Sequence, residues 1–113
     1  MGPKQRFELL YAAQVKQHLR AIERKYYALI RQEIEAQLPF EPEEETRNRK
    51  PLKRPAQSGA EWELRCGPGN RFRVFYEVDR EAVVVDVLAI GIKERGRLYI
   101  GGEEVVDEDS TSG

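Results

Sequence analysis

Residues 62–79 read WELRCGPGNRFRVFYEVD. Apolar Trp62, Leu64 and Cys66 alternate with polar Glu63 and Arg65, and beyond Gly67, Pro68, Gly69 and Asn70 the apolar positions Phe72, Val74, Tyr76 and Val78 alternate with Arg71, Arg73, Phe75 and Glu77. Two alternating runs joined by a Gly/Pro/Asn turn predict a β-hairpin with one apolar and one charged face. Cross-strand pairing then brings Glu63, Arg65, Arg71 and Arg73 within reach of one another on the second face.

On the C-terminal side, residues 83–91 are apolar at nearly every position except Asp86. Such a run suits a central strand covered on both faces. A basic connection, Lys93 to Tyr99, leads to a short last strand or chain end at Tyr99 and Ile100, and residues 103–113 read as an acidic, disordered tail. On the N-terminal side, Phe7, Leu9 and Tyr11 alternate with Arg6, Glu8 and Leu10 as in a half-buried edge strand. Val15, Leu19, Ile22, Tyr26, Ile30, Ile34 and Leu38 then recur every three or four residues, along one stripe of helix. A single helix over residues 15–38 would be about 36 Å long, against a radius of gyration of about 13 Å for a compact chain of this size. A break near residues 23–25, giving a helical hairpin, is expected; no Gly or Pro marks it, so one long helix is the alternative. Pro39 and Pro42 end the pattern. The order strand, helical hairpin, then three to four antiparallel strands predicts a small two-layer α+β domain over residues 1–102.

The chain has 113 residues, with 19 Lys and Arg against 20 Asp and Glu. Without Glu103, Glu104, Asp107, Glu108 and Asp109 the remainder holds 19 basic against 15 acidic residues, so a basic body carries an acidic end. Five cations, Arg47, Arg49, Lys50, Lys53 and Arg54, crowd one Pro-punctuated loop behind Glu41, Glu43, Glu44 and Glu45. That loop reads as solvated surface or as a contact for nucleic-acid phosphates. The longest apolar run falls far short of the roughly 20 residues of a membrane span, and no signal segment precedes it. The lone Cys66 allows no intrachain disulfide, so a cytoplasmic protein held together by packing is expected. One Cys and one His offer no metal set, and no cofactor is expected. Cys66 shares a face with Trp62 and Leu64 and reads as an inert packed thiol, His18 as a helix boundary residue, Tyr26 and Tyr27 as helix packing.

The charged hairpin face, joined by Asp86, Lys93, Arg95, Arg97 and Tyr99, has the parts for phosphodiester chemistry: a base, cations for the charge on phosphorus, and an acid. The same residues also read as a salt-bridged, solvated sheet face. In combination, PLKRP, the hairpin stretch and VLAIGIKERGRLY resemble the second half of RelE/ParE superfamily toxins of bacterial type II toxin–antitoxin systems, with a looser likeness from the first strand to Gly102. The resemblance implies a RelE-like fold and a cognate antitoxin partner. It implies one of two actions: cleavage of messenger RNA on the ribosome or, in the ParE branch, inhibition of DNA gyrase by protein contact; an inactive relative is the third alternative. Carried onto this chain, it implies a catalytic set of Arg73 at the scissile phosphate, Lys93 where nucleases often have arginine, and Tyr99 as the C-terminal aromatic that serves as acid or stacking group. Glu61 and Glu63 stand where well-known nucleases carry lysines, which makes Glu63 the candidate base. Arg65, Arg71, Arg95 and Arg97, with Arg47, Arg49, Lys50, Lys53 and Arg54, complete the expected RNA-binding set, and a ribosome-associated endonuclease is the first expectation.

Overall fold

The computed structural model describes residues 5–106. The chain runs β1 (Glu8–Tyr11), α1 (Val15–Arg20), a 3₁₀ turn (Arg24–Tyr26), α2 (Tyr27–Gln37), β2 (Arg49–Pro51), β3 (Trp62–Cys66), β4 (Phe72–Asp79), β5 (Val84–Glu94), β6 (Arg97–Ile100) and β7 (Glu103–Val105). The expected α+β order holds, with a larger sheet than expected. Its seven strands follow the order β2-β3-β4-β5-β6-β7, with β1 pairing with β5.

β5 organises the sheet. One edge pairs antiparallel with β4 along its length. The other edge is shared: β1 lies parallel to Val84–Val87, and β6 antiparallel to Gly91–Glu94. Between them the edge is open at Leu88 to Ile90, where an extra residue, Leu88, bulges out of register with β4. α1 closes the opening with side chains one helical turn apart. Gln14 Nε2 donates to the Leu88 carbonyl at 3.1 Å, and the Ile90 N–H donates to His18 Nδ1 at 3.3 Å. His18 is thus a sheet-edge cap as well as a boundary residue.

Both faces of β5 are covered, as its apolar run implied. On one face, the helical stripe (Val15, Ile22, Ile30, Ile34, Leu38) packs on Leu64, Cys66, Phe72, Val74, Tyr76, Val85, Val87 and Ile90. On the other, residues 52–60 cross the sheet as a strap, and Ala60, Phe75, Ala89 and Leu98 form a second cluster bordered by Leu52, Ala56, Ile100 and Val105. The helical stripe breaks at residues 21–23, slightly ahead of the expected 23–25. Glu23 is extended (φ −58°, ψ 134°), Ile22 drives into the core at 5% exposure, and the Tyr27 hydroxyl donates back to the Leu19 carbonyl. The hairpin turn needs Gly67: its φ is 81°, and a Cβ there would lie 2.3 Å from Cδ2 of Phe72.

Two expectations are corrected. Glu103–Val105, assigned to a disordered tail, pair with β6 as β7, because the Gly101 and Gly102 turn reverses the chain onto the sheet edge; residues 107–113 lie outside those described. Arg49, assigned to RNA contact, is 8% exposed. Its Nη1 donates to the carbonyls of Gln37 (3.1 Å), Phe40 (2.9 Å) and Glu41 (3.1 Å), satisfying acceptors left over where α2 ends. No helix among the described residues is long and apolar enough to cross a membrane.

Burial holds the His18 pKa below its usual 6.5, and protonation would remove the lone pair that accepts the Ile90 N–H. The neutral imidazole's contribution is therefore complete above pH 6.5 and declines as pH falls toward the depressed folded value. Urea unfolding between pH 7.5 and 5.5 should show stability falling with acid in the wild type and a flatter profile in His18→Gln, which keeps an acceptor that does not titrate. Parallel profiles would contradict this account.

Candidate functional site

The charged sheet face converges on Glu63. Register places Lys50 of β2 opposite Glu63, and Arg65 opposite Arg73 of β4. Arg65 Nε lies 3.0 Å from Glu63 Oε2, and Arg73 Nη1 3.2 Å from Oε1, so each carboxylate oxygen has its own guanidinium. Arg73 Nε donates to the Asn70 carbonyl at 3.1 Å, which anchors the guanidinium to the hairpin turn. Glu63 is 4% exposed, and the Arg73 side chain only 11%. The expected juxtaposition of Glu63, Arg65 and Arg73 is present, as a closed ion network.

Tyr99 lies elsewhere. It pairs with Ile92, which pairs with Phe72, and both of these pack under the helices. Its neighbours Leu98 and Ile100 face the strap side. By alternation Tyr99 projects from the helical face, opposite Arg73. Lys93 stands on the Arg73 side by the same alternation, two residues beyond Gly91, Arg73's cross-strand partner. Asp86 sits across from Glu77, several rows along the sheet from Arg73. Arg71 spreads over the rings of Tyr26 and Phe72 at 5.6 and 5.5 Å and reaches Glu94 at 3.9 Å. Arg95 is exposed in the β5–β6 turn (φ 52°), while Arg97 pairs with Glu104 at 3.4 Å. In the basic loop, Lys50 meets Glu45 at 3.4 Å, and Arg47, Lys53 and Arg54 are exposed. Burial pushes the Cys66 thiol up to about 12, with the Glu33 carboxylate adding to it, as suits a packed thiol.

A second feature lies on the helical side, which sequence reasoning did not single out. Tyr11, Val15, Leu19, Tyr27, Ile30, Ile34 and Ile90 line an apolar trough of about 390 Å³ between β1, α1 and α2. Past Leu19 and Tyr27 it continues along Lys16, Arg20, Ile22 and Arg24. Those three cations are exposed and have no ion-pair partner among the described residues. Tyr11, at the edge of the trough, is 46% exposed. Burial and the Glu35 carboxylate raise the Tyr11 pKa above its usual 10, with Arg31 opposing. The spacing of Lys16, Arg20 and Arg24 was the available signal. The trough itself was not legible, because it opens where the helices diverge around residues 21–23.

Residues 9–96 match the family model described as ParE toxin of type II toxin–antitoxin system, parDE. Among solved structures, a similar chain comes from the crystal structure of the toxin–antitoxin complex RelBE2 of Mycobacterium tuberculosis. The TM-score is 0.64 at 19% identity, over 82% of this chain and 98% of that one. No curated protein matches.

The burial of Arg49 separates structural from surface cations. Arg49→Met should cost about 2 kcal/mol or more of unfolding free energy by stranding carbonyls around the end of α2, whereas Arg47→Ala should change stability by less than about 0.5 kcal/mol. Chemical denaturation of both variants checks this; equal effects would remove Arg49 from its capping role.

Proposed function

For a chain that belongs to the ParE toxin family of type II toxin–antitoxin systems, we propose that the toxin arrests growth by protein contact with DNA gyrase and does not cut messenger RNA. The observation that carries this reading is the placement of Arg73 and Tyr99 on opposite faces of one sheet. Cleavage next to a ribose 2′-hydroxyl needs a base, a phosphate-stabilising cation and an acid converging on a single phosphodiester. An arginine and a tyrosine separated by the thickness of a sheet do not converge. Glu63, the candidate base, already has both oxygens engaged by guanidiniums. The match over residues 9–96 with the ParE model supports the gyrase branch of the superfamily over the nuclease branch.

The partner that restrains the toxin is an antitoxin, and the surface best suited to it is the helical trough. An acidic amphipathic segment would lay apolar side chains against Leu19, Tyr27 and Ile30 and carboxylates along Lys16, Arg20 and Arg24. On the charged sheet face, by contrast, Arg65 and Arg73 are already paired with Glu63.

Two measurements test these readings. In a supercoiling assay the purified toxin should inhibit DNA gyrase, and Tyr99→Phe and Arg73→Gln should inhibit comparably to wild type. Primer extension on a reporter message in a reconstituted translation reaction should show intact RNA; codon-positioned cuts lost in Arg73→Gln would reinstate the nuclease. For the antitoxin, combined Lys16→Glu, Arg20→Glu and Arg24→Glu substitutions should weaken association with the protein encoded beside this chain by about tenfold or more at low salt. Undiminished copurification would place the antitoxin elsewhere.

A further inference from the structure

We infer that Arg65 and Arg73 form an anion-binding site that the chain itself fills with the Glu63 carboxylate, and that takes a phosphate or phosphodiester oxyanion once that carboxylate is neutralised. Arg65 and Arg73 are direct cross-strand partners. Like charges so placed, with Cβ atoms about 5 Å apart, destabilise a sheet unless an anion lies between them. Glu63, two residues from Arg65 on the same face of β3, supplies that anion through its contacts of 3.0 and 3.2 Å.

The donors do not depend on Glu63 alone for their placement. Arg73 is tied to the Asn70 carbonyl through Nε, and β3–β4 pairing holds the two backbones. Lys50 stands opposite Glu63, with its ammonium drawn toward Glu45 at 3.4 Å. Two guanidiniums with a lysine beside them make the donor set that binds phosphate through charge-assisted, forked hydrogen bonds. Arg73 is nearly covered, but the Arg65 side chain is 32% exposed, so the site opens to solvent on the Arg65 side. The wild-type face is therefore self-neutralised, which is how a basic hairpin coexists with a protein that does not engage RNA. This rests on the reading proposed above.

Glu63→Gln keeps the side-chain shape and removes the charge. Glu61→Gln, at an exposed site just before β3, removes an equal charge and serves as control. The probes are inorganic phosphate and a ten-residue uridine oligonucleotide, titrated against the full chain at low salt. Glu63→Gln should bind the oligonucleotide about tenfold or more tightly than wild type and Glu61→Gln, with a salt slope steeper by about one phosphate contact. Inorganic phosphate should raise its melting temperature while leaving the other two unchanged. Adding Arg65→Ala to Glu63→Gln should abolish both gains. If Glu63→Gln is unfolded in plain buffer, phosphate should refold it.

Equal oligonucleotide affinity for the two glutamine variants, or a Glu63→Gln chain that phosphate neither stabilises nor refolds, overturns the inference. Its fate is separable from that of the proposed function. Message cleavage by the wild type would sink the gyrase reading, while the phosphate titration of Glu63→Gln would still decide the site.

Discussion

β5 must satisfy hydrogen bonds on two edges while burying side chains on two faces, and the rest of the structure is arranged around that requirement. β4 takes one edge; the other is divided between β1, parallel, and β6, antiparallel. Strands approaching from opposite directions cannot meet without a gap, and the gap falls at the Leu88 bulge. Backbone groups left there without partners would be costly, because an unmet buried donor or acceptor forfeits its hydration with nothing in exchange. Gln14 and His18 fill it, which fixes α1 across the sheet and starts the helical stripe in the register that buries Val15 and Ile22.

The same requirement explains what was legible in the sequence. The β3–β4 hairpin, the two-sided β5 and the helical stripe are written in periodicities of 2 and 3.6, which report burial directly. β2 and β7 escaped notice because each is three residues long and carries its strand character in pairing partners alone. Arg49-Lys50-Pro51 and Glu103-Glu104-Val105 have no alternation to read. The helix break lacked Gly or Pro because it is made by tertiary forces, the burial of Ile22 and the Tyr27 hydroxyl reaching Leu19.

For the site, alternation placed Glu63, Arg65 and Arg73 correctly on one face, but Arg71, expected beside them, lies over the rings of Tyr26 and Phe72, and Tyr99, expected to join that face, projects from the other. Its side is set by the register across the β5–β6 turn, where Arg95 (φ 52°) and Gly96 (φ 77°) make the reversal tight and pair Ile92 with Tyr99. A one-residue shift would have put Tyr99 beside Lys93 and reversed the functional conclusion. Arg49 was indistinguishable from its basic neighbours by charge. Only the carbonyls at the end of α2 make it a buried capping group, and those are brought to it by the fold.

The charged residues thus sort by how their charge is compensated. Arg49 is neutralised by carbonyl dipoles, Arg65 and Arg73 by Glu63, Lys50 by Glu45 and Arg97 by Glu104. Along α1, by contrast, Lys16 and Arg20, with Arg24 after them, present charge to solvent beside apolar surface, an arrangement that costs little in the free protein because the cations stay hydrated. Uncompensated charge next to exposed apolar area gives a partner both long-range attraction and contact energy. The internally paired sheet face offers neither to a polyanion. The surface beside α1 thus offers both to an acidic segment, whereas on the sheet face Glu63, Arg65 and Arg73 cancel one another.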